Sequence, residues 1–509
     1  MAKLQVKRGF QAAIQNPLLL LAGLSVLNAG VYWLLFVGPW NLPELYRRRL
    51  YDLRRLSIDD PLARWQLLAG FVLLALLYWL GWHAASRSRG RMAWVLVVTG
   101  AAISGTILLF LYPFDAADVF DNIMHGRILG LYGANPFDQV PADFKGDPFY
   151  RYTAWRDFPS AYGPGWEFVA AATARLAGDG IVANVLAFKI VGGLFLAGCI
   201  GIVAALLRRT VPERALAGTL LLAWNPLILY ETLGQGHNDV AMLFWILAAV
   251  WWLARGRHTL SALALVAGAL FKFVPLLLLP AAGLISLRML PDRRARLRFV
   301  ATTACAAAVM VVLAYAPFWQ GLETLGVEHR RELFTSSLPA AAYALLQTPL
   351  GKEQAASNVS LVAASITALF ALWQAVRAGR TPSWQAFARA AFNISIFYLL
   401  LTCLWFQQWY MVWPLGLVPL LPTGLAWWGI SVGFAVLAKP LIFEPVWLWT
   451  HPSPDRSWLE VRLGPSVLAV PWLLGLAALW AGRRRSKPDG GSGPEQERRQ
   501  PGTTLSSHS

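Results

Sequence analysis

The sequence predicts an all-α, polytopic membrane protein, and three observations predict it. The chain of 509 residues is 57% hydrophobic and 14% charged, where a soluble domain carries about 25% charged residues. Its mean hydropathy is +0.49. Apolar runs recur along its whole length, each of about 20 residues, the length needed to cross about 30 Å of hydrocarbon. Backbone groups in lipid must find partners within their own segment, so these runs are helices. Length alone would divide a soluble chain into about three domains. The apolar runs override that division and give about 12 to 13 spans.

The charge of +17 does not form a nucleic-acid footprint. The Arg and Lys residues fall in short clusters between apolar runs, the pattern of cytoplasmic loops. Cys199, Cys305 and Cys403 all lie in apolar spans. They give neither a metal-ligand spacing nor a disulfide framework.

The elements follow in order. A short basic amino terminus (Lys3, Lys7, Arg8) precedes a first span at about Pro17–Val37, too long for a signal-peptide core and read as uncleaved. Spans follow at about Ala63–Trp82 and Met92–Tyr112, separated by Arg87, Arg89 and Arg91. This cluster puts the amino terminus inside and the stretch after Tyr112 outside. Arg47, Arg48, Arg49, Arg54 and Arg55 disagree with that parity and are read as an amphipathic surface helix. Later clusters restore it: Arg208, Arg209 and Arg214; Arg255 and Arg257; Arg288 to Arg298; Arg377 and Arg380; Arg483 to Arg485. Parity then requires that Gly165–Ala177 be a half-helix and that Ser261–Leu287 dip in and out around Pro275. Residues 1–485 read as a single integral membrane domain. Residues 486–509, rich in Gly, Ser, Pro and charge, read as a disordered cytoplasmic tail.

The one long polar segment is Leu111–Trp166. It carries Asp115, Asp118, Asp121, Asp138, Asp143, Asp147 and Asp157. Charges are costly beside lipid unless they serve a site or face water. Asp115 and Asp118 follow the third span at once. A helix over Phe114–Met124 would put Asp115, Asp118 and, less squarely, Asp121 on one face. A carboxylate there can take the proton of an attacking hydroxyl. The plainer use of these acids is capping a helix or facing water. Arg127 suits a phosphate, or a loop salt bridge. His237, Asn238 and Asp239 form a polar turn between two spans; they line a cavity or cap the next helix. Lys272 lies at headgroup depth, where it can meet a lipid phosphate or snorkel. His329, Arg330 and Arg331 can hold a leaving phosphate. Gln408, Trp409 and Tyr410 can stack on a sugar or sit in an aromatic belt.

The stretch DVFDNIMHGRILGLYGANPF resembles the first large external loop of polyprenyl-phosphate-sugar-dependent glycosyltransferases of the GT-C superfamily. It is closest to polyprenol-phosphomannose-dependent mannosyltransferases. Asp118 matches that pattern's acid, and Phe120 stands where Tyr is more usual. Tyr162-Gly163-Pro164, Trp224-Asn225-Pro226, Gly236-His237-Asn238-Asp239, Lys272-Phe273-Val274-Pro275 and Gln408-Trp409-Tyr410 continue the resemblance in matching order over about 112–414. It implies transfer of a sugar, mannose by resemblance, from a polyprenyl phosphate to a glycan or lipid acceptor outside the cytoplasmic membrane. Asp118 would be the general base, with Asp115 or Asp121 assisting. Lys272, Arg330, Arg331 and Arg127 would hold the donor phosphate. His237, Asn238, Asp239, Tyr162, Gln408, Trp409 and Tyr410 would bind substrate. No cofactor and no metal are expected, although the carboxylates leave a weak divalent-metal dependence open. A transporter or flippase for a lipid-linked sugar is the alternative. It would place its groups at the bilayer midplane in repeated halves, and the sequence shows neither. A non-catalytic assembly subunit descended from such enzymes would carry the same residues.

Overall fold

The computed structural model describes residues 16–47, 56, 59–325 and 333–450, without the side chains of 438–440 and 442–450. These residues form helices and turns; the only strand-like pairings among them are single bridges, Asn41 with Leu111 and Thr335 with Trp405. Among the described residues, seven helices are long and apolar enough to cross a membrane, or eight if the bent pair Pro212–Ala223 and Pro226–Gly234 counts as one span.

Helix α1 (Pro17–Tyr32) packs against both α2 (Ala63–Arg87) and α3 (Arg91–Leu109) at the amino-terminal side. The polar segment then supplies α4 (Asp118–Gly130), 3-10 turns at Pro141–Phe144 and Tyr150–Tyr152, and α5 (Pro164–Ala177). The chain continues through α6 (Ile181–Thr210), α7 (Ala215–Ala223), α8 (Asp239–Ala254), α9 (His258–Ala269), α10 (Leu279–Met289) and α11 (Arg293–Tyr315). It ends its described part with α12 (Leu338–Leu350), α13 (Lys352–Arg380), α14 (Trp384–Phe397), α15 (Val412–Leu417) and α16 (Thr423–Thr450).

Burial divides these helices. Every residue of α7 and most of α8 are buried, whereas α11 exposes Val309, Val312 and Leu313. Helices apolar all round can be central or lipid-facing. Here α7 and α8 are the hub, and α11 presents its apolar surface to lipid.

The half-helix expected at Gly165–Ala177 is α5, with 14 residues. Within Ser261–Leu287, expected to dip around Pro275, the helix breaks between α9 and α10: Leu270 to Phe273 leave the helix and Val274–Leu278 form a 3-10 turn. Pro275 lacks the N–H that a continuous helix needs. Among the described residues, several apolar runs fold not as full-length spans but as helices of 10–17 residues, among them α8 and α9. Of the surface helix expected over Arg47–Arg55, all but Arg47 lies outside the described residues, as do the last span at Pro465–Ala481 and the tail at 486–509.

The helix expected to begin at Phe114 begins at Asp118, so Asp115 precedes it and the three acids do not share a helical face. The preceding strand-like segment is held elsewhere. The Tyr112 amide donates to the Trp40 carbonyl at 2.8 Å, and the Lys189 ammonium donates to the Leu111 carbonyl at 2.5 Å.

Candidate active site

Helix α4 is buried from Val119 to Ile128 and packs most extensively against α5. Its first turn carries Asp118 and Asp121, where the positive end of the helix dipole favours carboxylates. Asn122 ties that turn to its neighbours. Its Nδ2 donates to the Asp118 carbonyl at 2.7 Å, and its Oδ1 accepts from Trp166 Nε1 at 2.7 Å and from Asn238 Nδ2 at 3.4 Å. One amide thereby links α4, α5 and the start of α8.

The three leading acids have different surroundings. Asp115 is tethered twice: its amide donates to Gln235 Oε1 at 3.0 Å, and its Oδ2 accepts from Gln408 Nε2 at 2.7 Å. Asp121 is turned into the loop, where its Oδ1 accepts from the amides of Ala154 at 3.0 Å and Trp155 at 3.1 Å. Burial and the neighbouring Asp118 push its carboxyl well above the usual range, against those two amides. Asp118 is half-buried, and its carboxylate has no hydrogen bond or ion pair among the described residues. Burial pushes it up to about 6; Lys272 opposes that, and Asp239 and Asp115 add to it. The group is packed closely enough to feel desolvation yet keeps an opening to a reactant.

The turn between the Tyr230 segment and α8 faces this acid. Gly236 has φ +81°, and a Cβ there would lie 2.8 Å from the Val119 side chain; only glycine suits both constraints. Beside it, the His237 ring stacks on Trp409 with centroids 4.0 Å apart. His237 Nδ1 lies 3.0 Å from Glu231 Oε2, but the angles do not make a hydrogen bond, and both atoms are unpartnered. Burial and Lys272 hold the His237 pKa well below its usual value, so the ring is neutral and the contact is not an ion pair. Asn238 Oδ1 and Asp239 Oδ2 are buried without partners as well. Unpaired buried polar atoms cost about 1–3 kcal/mol each, which a hydroxyl-rich ligand can offset.

Asp239 Oδ1 accepts two hydrogen bonds, from Lys272 Nζ at 2.7 Å and from Trp413 Nε1 at 2.5 Å. The ammonium lies 5.2 Å from the ring centroids of Tyr162 and of Tyr410 and 6.0 Å from that of Trp413. Three aromatic faces thus wall a lysine that is 13% exposed, within cation–π range. The wall is fixed by close backbone contact: the Gly163 amide donates to the Phe271 carbonyl at 3.0 Å and the Gly165 amide to the Leu270 carbonyl at 2.8 Å. A Cβ on Gly163 would lie 2.3 Å from the Leu270 oxygen.

The structure therefore brings together Asp115, Asp118, Tyr162, His237, Asn238, Asp239, Lys272, Gln408, Trp409 and Tyr410 from five separated stretches. Arg127 stands apart from them. Its guanidinium bonds Asp147 at 2.7 Å, the Gly178 carbonyl at 2.8 Å and Asp179 at 2.7 Å, over the Phe149 ring at 4.9 Å. With these partners it fastens the loop to the start of α6. Arg330 and Arg331 lie outside the described residues. Among the described residues, no group of three or more His, Cys, Asp or Glu stands ready to hold a metal ion. Sequence reasoning missed Asn122, Gln235 and Trp413. Asn122 follows directly on Asp121, Gln235 precedes Gly236-His237, and Trp413 comes three residues after Tyr410; that adjacency is the only signal the sequence offers.

A family described as alpha-(1->6)-mannopyranosyltransferase, N-terminal domain, matches residues 37–288. The match contains the acids, the His237 turn and Lys272; Gln408 to Trp413 lie beyond it. No curated protein matches the chain, and no solved structure does.

Proposed function

We propose, from the membership of residues 37–288 in this mannosyltransferase family, that the chain transfers mannose from a polyprenyl-phosphate donor to a glycan or lipid acceptor. The reaction takes place at the outer face of the cytoplasmic membrane. Asp118 is the general base. The acceptor hydroxyl attacks the anomeric carbon opposite the phosphate, its proton passes to the Asp118 carboxylate, and the carbon–oxygen bond to phosphate breaks. The configuration inverts. Polyprenyl phosphate leaves with one more negative charge, which the Lys272 ammonium faces.

The observation that carries this reading is the state of Asp118. Of the three acids that open the loop, it alone has an unengaged carboxylate, and it keeps an opening. Asp115 then orients the turn through Gln235 and Gln408, and Asp121 holds the loop. His237, Asn238 and Asp239 offer unpartnered polar atoms to sugar hydroxyls, and Tyr162, Trp409 and Tyr410 offer ring faces. Arg330 and Arg331 are further candidates for the phosphate. Arg clusters such as Arg87, Arg89 and Arg91 support an external loop by the charge rule for cytoplasmic segments. The reading includes no cofactor, because a single phosphate can be met by an ammonium, and transfer is expected to persist in EDTA.

The donor class is tested with membranes containing the protein, lipid acceptors, and radiolabelled mannose supplied either as polyprenyl-phosphate mannose or as a nucleotide sugar. Transfer from the lipid-linked donor, with the nucleotide pool removed, is expected. Transfer from the nucleotide sugar alone would overturn the proposal.

A further inference from the structure

Trp413 lies at the start of α15 and is 2% exposed. An indole near the end of a span commonly serves in an interfacial belt, but this one is buried and bonded to a carboxylate. Its Nε1–H reaches Asp239 Oδ1 at 2.5 Å, the oxygen that Lys272 Nζ also reaches at 2.7 Å. The second oxygen, Oδ2, is buried and unpartnered. The indole itself is held on two sides, by Tyr410 with centroids 4.8 Å apart and by Tyr398 at 6.4 Å.

This arrangement governs how much of the lysine is spent inside the protein. An ammonium has three donors. A carboxylate free to rotate could chelate it with both oxygens and draw it away from any other anion. The indole N–H pins Oδ1 and so fixes the carboxylate rotamer. Lys272 commits one N–H to Asp239 and keeps the others, in an aromatic enclosure where charge-assisted bonds are strong.

We infer that Trp413 is a positioning residue for the lipid-linked phosphate: through Asp239 it holds the Lys272 ammonium where it can donate to that phosphate. The inference rests on the assignment of Lys272 to the donor phosphate and adds to it a residue beyond the family match.

The test compares binding of decaprenyl phosphate and decaprenol to the full chain in detergent, by calorimetry, so that the ratio isolates the phosphate. The parent protein binds the phosphate form more tightly. Trp413→Phe, which keeps a ring and removes the N–H, is expected to lower that preference about tenfold, the value of a hydrogen bond to a charged group, while decaprenol binding stays unchanged. Trp413→His is expected to restore the preference, because its Nε2 falls where the indole Nε1 lies; this variant also decides the matter if Trp413→Phe does not stay folded. An unchanged preference in Trp413→Phe, or a lost one in folded Trp413→His, would overturn the inference alone. A parent protein that binds both lipids equally would overturn the Lys272 assignment with it.

Discussion

Lys272 Nζ lies 2.7 Å from Asp239 Oδ1, joining the break after α9 to the first residue of α8. The pair is buried on the Asp239 side, at 1% exposure, so each partner makes the other tolerable. Removing one leaves an uncompensated buried charge, which costs about 3–5 kcal/mol. Asp239→Ala is therefore expected to lower the thermal midpoint in detergent strongly. Lys272→Met strands the more buried carboxylate and is expected to lower it as well, and to cost about 100-fold in kcat/KM for the donor, the scale of losing one group that stabilises transition-state charge. Initial-rate assays on folded protein check the second figure.

The pH profile reports on Asp118. A base must be ionised, and burial has pushed this carboxyl up from 3.8 to about 6. Below that value the group is protonated, so kcat/KM is expected to rise about tenfold per pH unit up to about 6 and then level. The sign for stability is opposite. The raised pKa favours the folded state while Asp118 is protonated, and that contribution is lost as the pH rises through about 6. Rates measured from pH 4.5 to 8 should show the acid limb.

Arg127 is expected to fail as a phosphate ligand. Its donors serve Asp147, Asp179 and the Gly178 carbonyl. Arg127→Lys cannot reproduce that fork and is expected to lower the thermal midpoint while leaving the donor KM of the folded fraction within about twofold. A large rise in donor KM without loss of stability would return Arg127 to the phosphate.

Gly163→Ala adds a single methyl group 2.3 Å from the Leu270 oxygen. The two segments must separate, and Tyr162 moves from the ring wall around Lys272. Overpacking of this kind costs about 1–3 kcal/mol, and donor KM should rise with it. Ala substituted for Gly146, which has open space around its Cβ position, is the control and should change neither.

How legible this was in the sequence depends on the physical signal each residue carries. The spans at Pro17–Val37 and Arg91–Leu109 could be read because length in lipid is an absolute requirement. So could the half-helix at Pro164, marked by Gly and Pro. Lys272 and Asp239 each stood out as charges beside apolar runs, but nothing in the spacing of 33 residues says that they touch. Trp413 is marked only by its closeness to Tyr410: an indole in an apolar run reads as belt or core, and its Nε1–H contact with Asp239 is what gives it a role. The i, i+3 spacing permits Asp115 to share a helix with Asp118. The competing bonds from Gln235 and Gln408, far along the chain, decide otherwise.

The central claim is that Asp118 takes the acceptor's proton. The measurement is mannosyl transfer from radiolabelled polyprenyl-phosphate mannose by membranes carrying the parent protein or Asp118→Asn at equal protein level. The account predicts transfer by the parent and a loss of at least about 100-fold in the variant, with donor binding retained. Transfer that survives Asp118→Asn would contradict it and move the base to Asp115 or Asp121.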